Sequence, residues 1–125
     1  MPNEKLKLSF NDLRMALSHY TGIKKDTILE NIGYLALIKA YELALEYFWK
    51  DVKRCVEAEG LEVVSPKAAL REGIRLGLIE NNPNWFRYID ARNISAHDYY
   101  GISKEGFLSL VTDFTAYLEK YLNKT

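Results

Sequence analysis

The chain has 125 residues, one domain by size (residues 1–125) and long enough to bury a core without disulfide or metal staples. Its 17 basic and 17 acidic side chains cancel, so no global positive field draws in nucleic acid, and any RNA contact must rest on a local patch. No apolar run approaches the roughly 20 residues of a membrane helix, and the one cysteine, Cys55, excludes an internal disulfide. The opening "MPNEKLKLSF" is polar and lacks the apolar centre of a signal peptide, so a reduced, cytoplasmic setting without membrane association is expected. No cysteine–histidine cluster suggests zinc, and neither a metal nor a cofactor is expected.

Helical periodicity runs through nearly the whole chain. Leu6, Phe10, Leu13, Leu17 and Tyr20 form the stripe of a first amphipathic helix, ended by Thr21-Gly22. A long second helix is predicted from about residue 26 to 59. It carries one seam of Tyr34, Ile38, Tyr41, Leu45, Phe48, Val52 and Cys55, and a second of Gly33, Leu37, Ala40, Ala44 and Tyr47. Its polar residues occupy a narrow strip: Lys39, Glu42, Glu46, Lys50, Lys53 and Glu57. An apolar arc that wide needs partners on several sides, which makes this helix central and its aromatic stripe core.

Gly60 suits a C-terminal cap, and Ser65-Pro66 reads as an N-cap with proline in the first turn of a short helix reaching about residue 78. Lys67, Arg71 and Arg75 share a face of it, either as a solvated surface or as a track for a nucleic-acid backbone. Asn81-Asn82-Pro83-Asn84 is a turn cluster. A fourth helix follows it, broken by Gly101, and Ser103 caps a fifth that carries Phe107, Leu110, Phe114, Leu118 and Tyr121. The segment "LEVVS" at 61–65 is the only strand signal and is too short to stand as one. The fold class is all-α.

The fourth helix ends in "RNISAHDYY", residues 92–100. Positions 85, 89, 92 and 96 share a helix face, which sets Arg92 in an otherwise apolar stripe with Trp85, Ile89 and Ala96. Asp90, Asn93 and His97 form a polar seam beside it. Arg92 and His97 lie about 140° apart on an ideal helix, so they converge on one cleft only at a fraying helix end or with a second chain. The pair has usable chemistry. A guanidinium forks onto phosphate oxygens and keeps its charge, and an imidazole exchanges a proton near neutrality. Together they can steady a phosphodiester and take the proton of an attacking ribose 2′-hydroxyl without a metal, with Asn93 orienting the ring or holding a phosphate oxygen. The plainer readings are that Arg92 pairs with Asp90 or Glu80, that His97 answers the helix dipole, and that Tyr99 and Tyr100 pack under the last helix. His19, ending the first helix, has the same dipole explanation.

The order "YELALEYFWKDVKRCVEAEG", "SPKAALREGIRLGLI", "NWFRYIDARNISAHDYY" resembles the HEPN family, and more narrowly the HepT-type toxins, also described as nucleotidyltransferase substrate-binding subunits. The arginine-x4-histidine-x-tyrosine signature falls on Arg92, His97 and Tyr99, with the usual asparagine, Asn93, directly after the arginine. Glu42-Leu43-Ala44, Ser65-Pro66 and Trp85 agree with it, and the similarity covers roughly residues 28–122. The first twenty-odd residues and Asp98 are not diagnostic.

The resemblance implies an antiparallel up-and-down bundle of four or five helices that forms a homodimer, with the two Arg–His motifs near a shared cleft. It implies a metal-independent ribonuclease in a toxin–antitoxin pair, with Arg92, His97 and Asn93 catalytic and Trp85, Asp90 and Ser95 as substrate contacts. It further implies a partner, a minimal nucleotidyltransferase encoded nearby, that silences the nuclease by moving AMP from ATP onto Tyr99. Two other classes compete: a non-catalytic substrate- or nucleotide-binding subunit of that transferase, and a purely structural helical dimer.

Overall fold

The computed structural model describes residues 4–97 and 103–124, with backbone alone at 93–97. Among the described residues it is an all-α bundle of five helices: α1 (Glu4–Gly22), α2 (Ile28–Ala58), α3 (Pro66–Arg75), α4 (Trp85–His97) and α5 (Lys104–Asn123). No strand forms among the described residues, and residues 61–64 are irregular connection.

Local chemistry sets most helix ends. Thr27, Ser65 and Ser103 are N-caps whose hydroxyls accept from the backbone N–H of Glu30, Ala68 and Gly106. Gly60, at φ 92°, follows α2 and donates its N–H to the Glu57 carbonyl, as a residue without a side chain can. The short α3 ends at Arg75, three residues before the sequence-based boundary. Gly77, at φ 75°, closes it: its N–H bonds the Ile74 carbonyl, and that of Leu78 reaches back to Gly73 at 2.8 Å. This left-handed stop satisfies the last carbonyls, so the helix gains nothing by continuing.

The apolar arc of α2 is covered on several sides. α1 lays Leu6, Phe10, Leu13 and Tyr20 against it, and α3 adds Ala69 and Leu70. The contact with α5 follows a seven-residue beat. Tyr34 meets Phe107, Tyr41 meets Phe114 and Phe48 meets Tyr121, with ring centroids 5.7, 5.4 and 5.1 Å apart and near-perpendicular planes. Matched seven-residue spacing in ascending order means that α2 and α5 run in the same direction, their rings meeting across the core. α4 returns the chain between them and wedges Trp85 flat against Phe48 (5.0 Å) and Tyr88 edge-on to Phe114 (5.3 Å).

Two carboxylates on α2 are buried within this packing. Asp51 is 1 % exposed, accepts from the Tyr121 hydroxyl at 2.6 Å, and pairs with Arg54 at 3.0 Å. Glu30 is 6 % exposed and takes the Tyr20 hydroxyl from α1 and Lys104 from α5, both at 3.1 Å. Burying an anion is costly unless its lone pairs are used, and in both cases they are. Replacing Tyr121 by Phe is expected to cost about 2 kcal/mol, because Asp51 loses a hydrogen bond to a charged acceptor inside the core. Urea unfolding checks this. A change below about 0.5 kcal/mol, the size of an ordinary surface substitution, would mean that Arg54 alone satisfies the carboxylate.

Candidate functional site

The site is built by the seating of α4 on α2. The Tyr41 hydroxyl donates to the backbone carbonyl of Tyr88 at 2.6 Å, which fixes one turn of α4 against the middle of α2. Burial pushes the Tyr41 hydroxyl well above its ordinary pKa, with the nearby Tyr88 adding to it, so it stays a donor. One helical turn before that carbonyl, Trp85 is 1 % exposed and gives its indole N–H to the Glu80 carbonyl at 2.8 Å. Trp85, expected as a substrate contact, is packed in the core: Phe48 stacks on its ring at 5.0 Å, Tyr88 and Tyr117 meet it at steep angles, and its one donor is satisfied.

With Trp85 and Ile89 buried on the same face, the stripe next delivers Arg92 where the core opens to solvent. Its side chain is 34 % exposed, and its NH2 lies 3.1 Å from Oε2 of Glu46 on α2. The sequence pointed to Asp90 or Glu80 as its partner, and neither takes that place. Asp90, two residues away and so on the far side of the helix, pairs with Lys67 of α3 at 2.7 Å. Glu80 lies 3.9 Å from Lys120 of α5. Arg92 is therefore half-buried and partnered, so no unpaired buried charge counts against a purely structural dimer.

Glu46 receives more than Arg92. The Trp49 indole N–H donates to the same Oε2 at 3.1 Å, and Lys50 lies 3.2 Å from Oε1. Burial works to raise the carboxyl's pKa, but the Trp49 and Lys50 hydrogen bonds and the Arg92 charge outweigh it and hold the group below its ordinary value. An ionised carboxylate, two cations and an indole thus meet at a half-exposed spot on the α2 surface. Nothing in the periodicity singled out Glu46, which reads there as one residue of a solvated strip. The trace it left was local: an indole and an ammonium three and four positions on, both within reach of its carboxylate.

The basic face of α3 lies along α4. Lys67 reaches Asp90, the Arg71 guanidinium sits 5.7 Å over the Phe86 ring, and Arg75 pairs with Glu72 at 2.7 Å. An open groove of about 830 Å³ lies between α4 and α5, lined by Asn84, Arg87, Tyr88, Ser109 and Asp113 among others. Arg92 is not among its lining residues. The Tyr88 hydroxyl donates to Asp113 there, and burial together with that bond raises its pKa. The side chains of Asn93, Ser95 and His97, and the whole of Tyr99, lie outside the described residues, as does the expected break at Gly101. Among the described residues no group of three or more histidines, cysteines or carboxylates stands ready for a metal, and no helix is long and apolar enough to cross a membrane.

A family model described as "Nucleotidyltransferase substrate binding protein like" matches residues 3–125. Among curated proteins, the chain is 33 % identical over 60 residues to one from Haemophilus influenzae named "Probable ribonuclease HepT". That match takes in 47 % of this chain and spans 41 % of the relative's length.

The carboxylates tie the bundle's stability to acid pH. At Glu30, the Lys104 hydrogen bond does most to lower the carboxyl below its ordinary 4.5. Burial opposes the shift, and the Tyr20 bond adds to it. Tyr20 is in turn pushed up to about 12 by its own burial and by Glu30. A carboxyl with a depressed folded pKa contributes fully above the ordinary value and loses that contribution as pH falls through the folded one. Thermal unfolding is therefore expected to be flat above about pH 5 and to fall steeply below about pH 4. Glu30→Gln is expected to lower the midpoint at pH 7 and flatten the acid limb, as followed by circular dichroism. An acid limb as steep in Glu30→Gln as in the parent chain would show that the clamp does not act this way.

Proposed function

The chain belongs to the nucleotidyltransferase substrate binding protein like family, and on that footing we propose that it is the HepT-like member of a toxin–antitoxin pair, a metal-independent endoribonuclease. Arg92 steadies the phosphodiester with its permanent charge. His97 takes the proton of the ribose 2′-hydroxyl as that oxygen attacks the adjacent phosphorus and the 5′-oxygen leaves. Asn93 orients the imidazole or a phosphate oxygen. The observation that carries this reading is the delivery of Arg92, by a stripe otherwise buried, to a half-exposed position where its partner is an acidic oxygen. A guanidinium so placed meets phosphate as readily as carboxylate. The ribonuclease named among the relatives supports the same activity.

A second subunit completes the proposal. Ile28, Ile32, Leu35 and Leu43 are exposed on one face of α2, and the same face continues into Glu46 and Lys50. An apolar stripe of this kind suits a self-complementary helix contact, and a dimer formed on it brings two Arg92–Glu46 pairs to one side of the assembly. The partner that silences the enzyme is a nucleotidyltransferase, as the family's description suggests. It moves AMP from ATP to the Tyr99 oxygen with release of pyrophosphate, placing bulk and negative charge two residues from His97. The family description also favours a second reading, in which the chain only captures substrate for the transferase.

Production of the chain alone is expected to arrest growth, and Arg92→Ala or His97→Ala to abolish arrest and RNA cleavage while remaining folded. Co-production with the transferase is expected to relieve arrest and add the mass of one AMP at Tyr99. RNA cleavage that persists in both variants contradicts the ribonuclease. A folded wild-type chain that cleaves nothing, yet binds the transferase tightly, supports the capture reading.

A further inference from the structure

The Glu46 carboxylate is fixed by α2 before α4 contributes anything. Trp49 and Lys50, one turn further along the same helix, already engage Oε2 and Oε1. Arg92 adds a second cation, its NH2 3.1 Å from Oε2. Two cations therefore share one anion at a surface where the Lys50 side chain is 55 % exposed. If Arg92 turns to another anion, Glu46 keeps its indole and ammonium partners, so no carboxylate is orphaned by the exchange. Lys50 has three N–H donors and can hold Glu46 and a second anion together.

We propose that Glu46 occupies Arg92 as a stand-in for phosphate, and that an RNA phosphodiester displaces it, received by Arg92 and Lys50 together. This rests on the reading above that Arg92 meets a phosphodiester, and it adds a competing anion and a second cation to that site. Glu46 is a positioning residue: it holds the guanidinium in place between encounters and sets an anionic threshold that a ligand must outcompete. Lys50 makes the second phosphate contact. A phosphodiester carries one negative charge on two outward oxygens, a fair match for one guanidinium and one ammonium.

The test uses the full chain and a short 2′-O-methyl RNA, which lacks the attacking hydroxyl and separates binding from cleavage. Glu46→Gln keeps the side chain's shape and removes its charge. It is expected to bind this RNA about three- to fivefold more tightly, the size of one partly exposed ion pair, and to cleave unmodified RNA with a KM lowered by a similar factor and kcat unchanged, because Arg92 has already left Glu46 in the saturated complex. Lys50→Gln is expected to bind about three- to fivefold more weakly, with a salt dependence shallower by about 0.7 on logarithmic axes, one phosphate contact on a single strand. Unchanged affinity in either variant, or weaker binding in Glu46→Gln, overturns the proposal. A wild-type chain that binds RNA without cleaving it fails the ribonuclease alone, and the two affinities still decide the role of Glu46. A wild-type chain that does not bind the RNA overturns both.

Discussion

The aromatic seam between α2 and α5 is the constraint on which the rest of the molecule depends. Three ring pairs at seven-residue intervals meet across the core and hold these helices in one direction, with α4 packed against both. α4 fills that place with Trp85 on Phe48 and Tyr88 against Phe114. Once those rings are seated, the rotation of α4 is no longer free. Arg92, seven residues beyond Trp85, must then emerge beside α2 near Glu46. Rings on two other helices thus aim the guanidinium.

The polar interior repeats one device. Carboxylates on α2 tie it to other helices: Glu30 to Tyr20 of α1 and Lys104 of α5, Asp51 to Tyr121 of α5, Glu46 to Arg92 of α4. The first two are deeply buried and meet tyrosine hydroxyls, so they specify how the helices fit. The third is half-exposed and meets a guanidinium, so its partner can exchange. The difference follows from depth. A buried carboxylate that loses its partner is strongly penalised, whereas one at the edge of solvent can trade partners at small cost.

Much of this was legible in the sequence because it is written locally. Ser65-Pro66, Gly60 and Ser103 act within one helical turn, and all three stand where local chemistry put them. The breadth of the apolar arc on α2 marked it as central. What local pattern could not carry was the rotation of one helix about another. Asp90 was named for Arg92 because it is near in sequence, but two residues along a helix point apart, and the partner came from 46 positions upstream. Trp85 was expected as a substrate contact through the family resemblance, and that its ring stacks on Phe48 in the core was not legible locally. Glu30 and Asp51 were hidden for the same reason: nothing beside them in the chain announces the tyrosines that take their charge.

At the centre of this account is an arginine that exchanges an internal carboxylate for a backbone phosphate. The most direct check is a crystal structure of the chain with a short 2′-O-methyl RNA. It should show a phosphate within hydrogen-bond reach of the Arg92 guanidinium and the Lys50 ammonium, with Glu46 still held by the Trp49 indole. RNA lying elsewhere, with Arg92 undisturbed on Glu46, would make that contact a structural ion pair and the proposed site an ordinary helix junction.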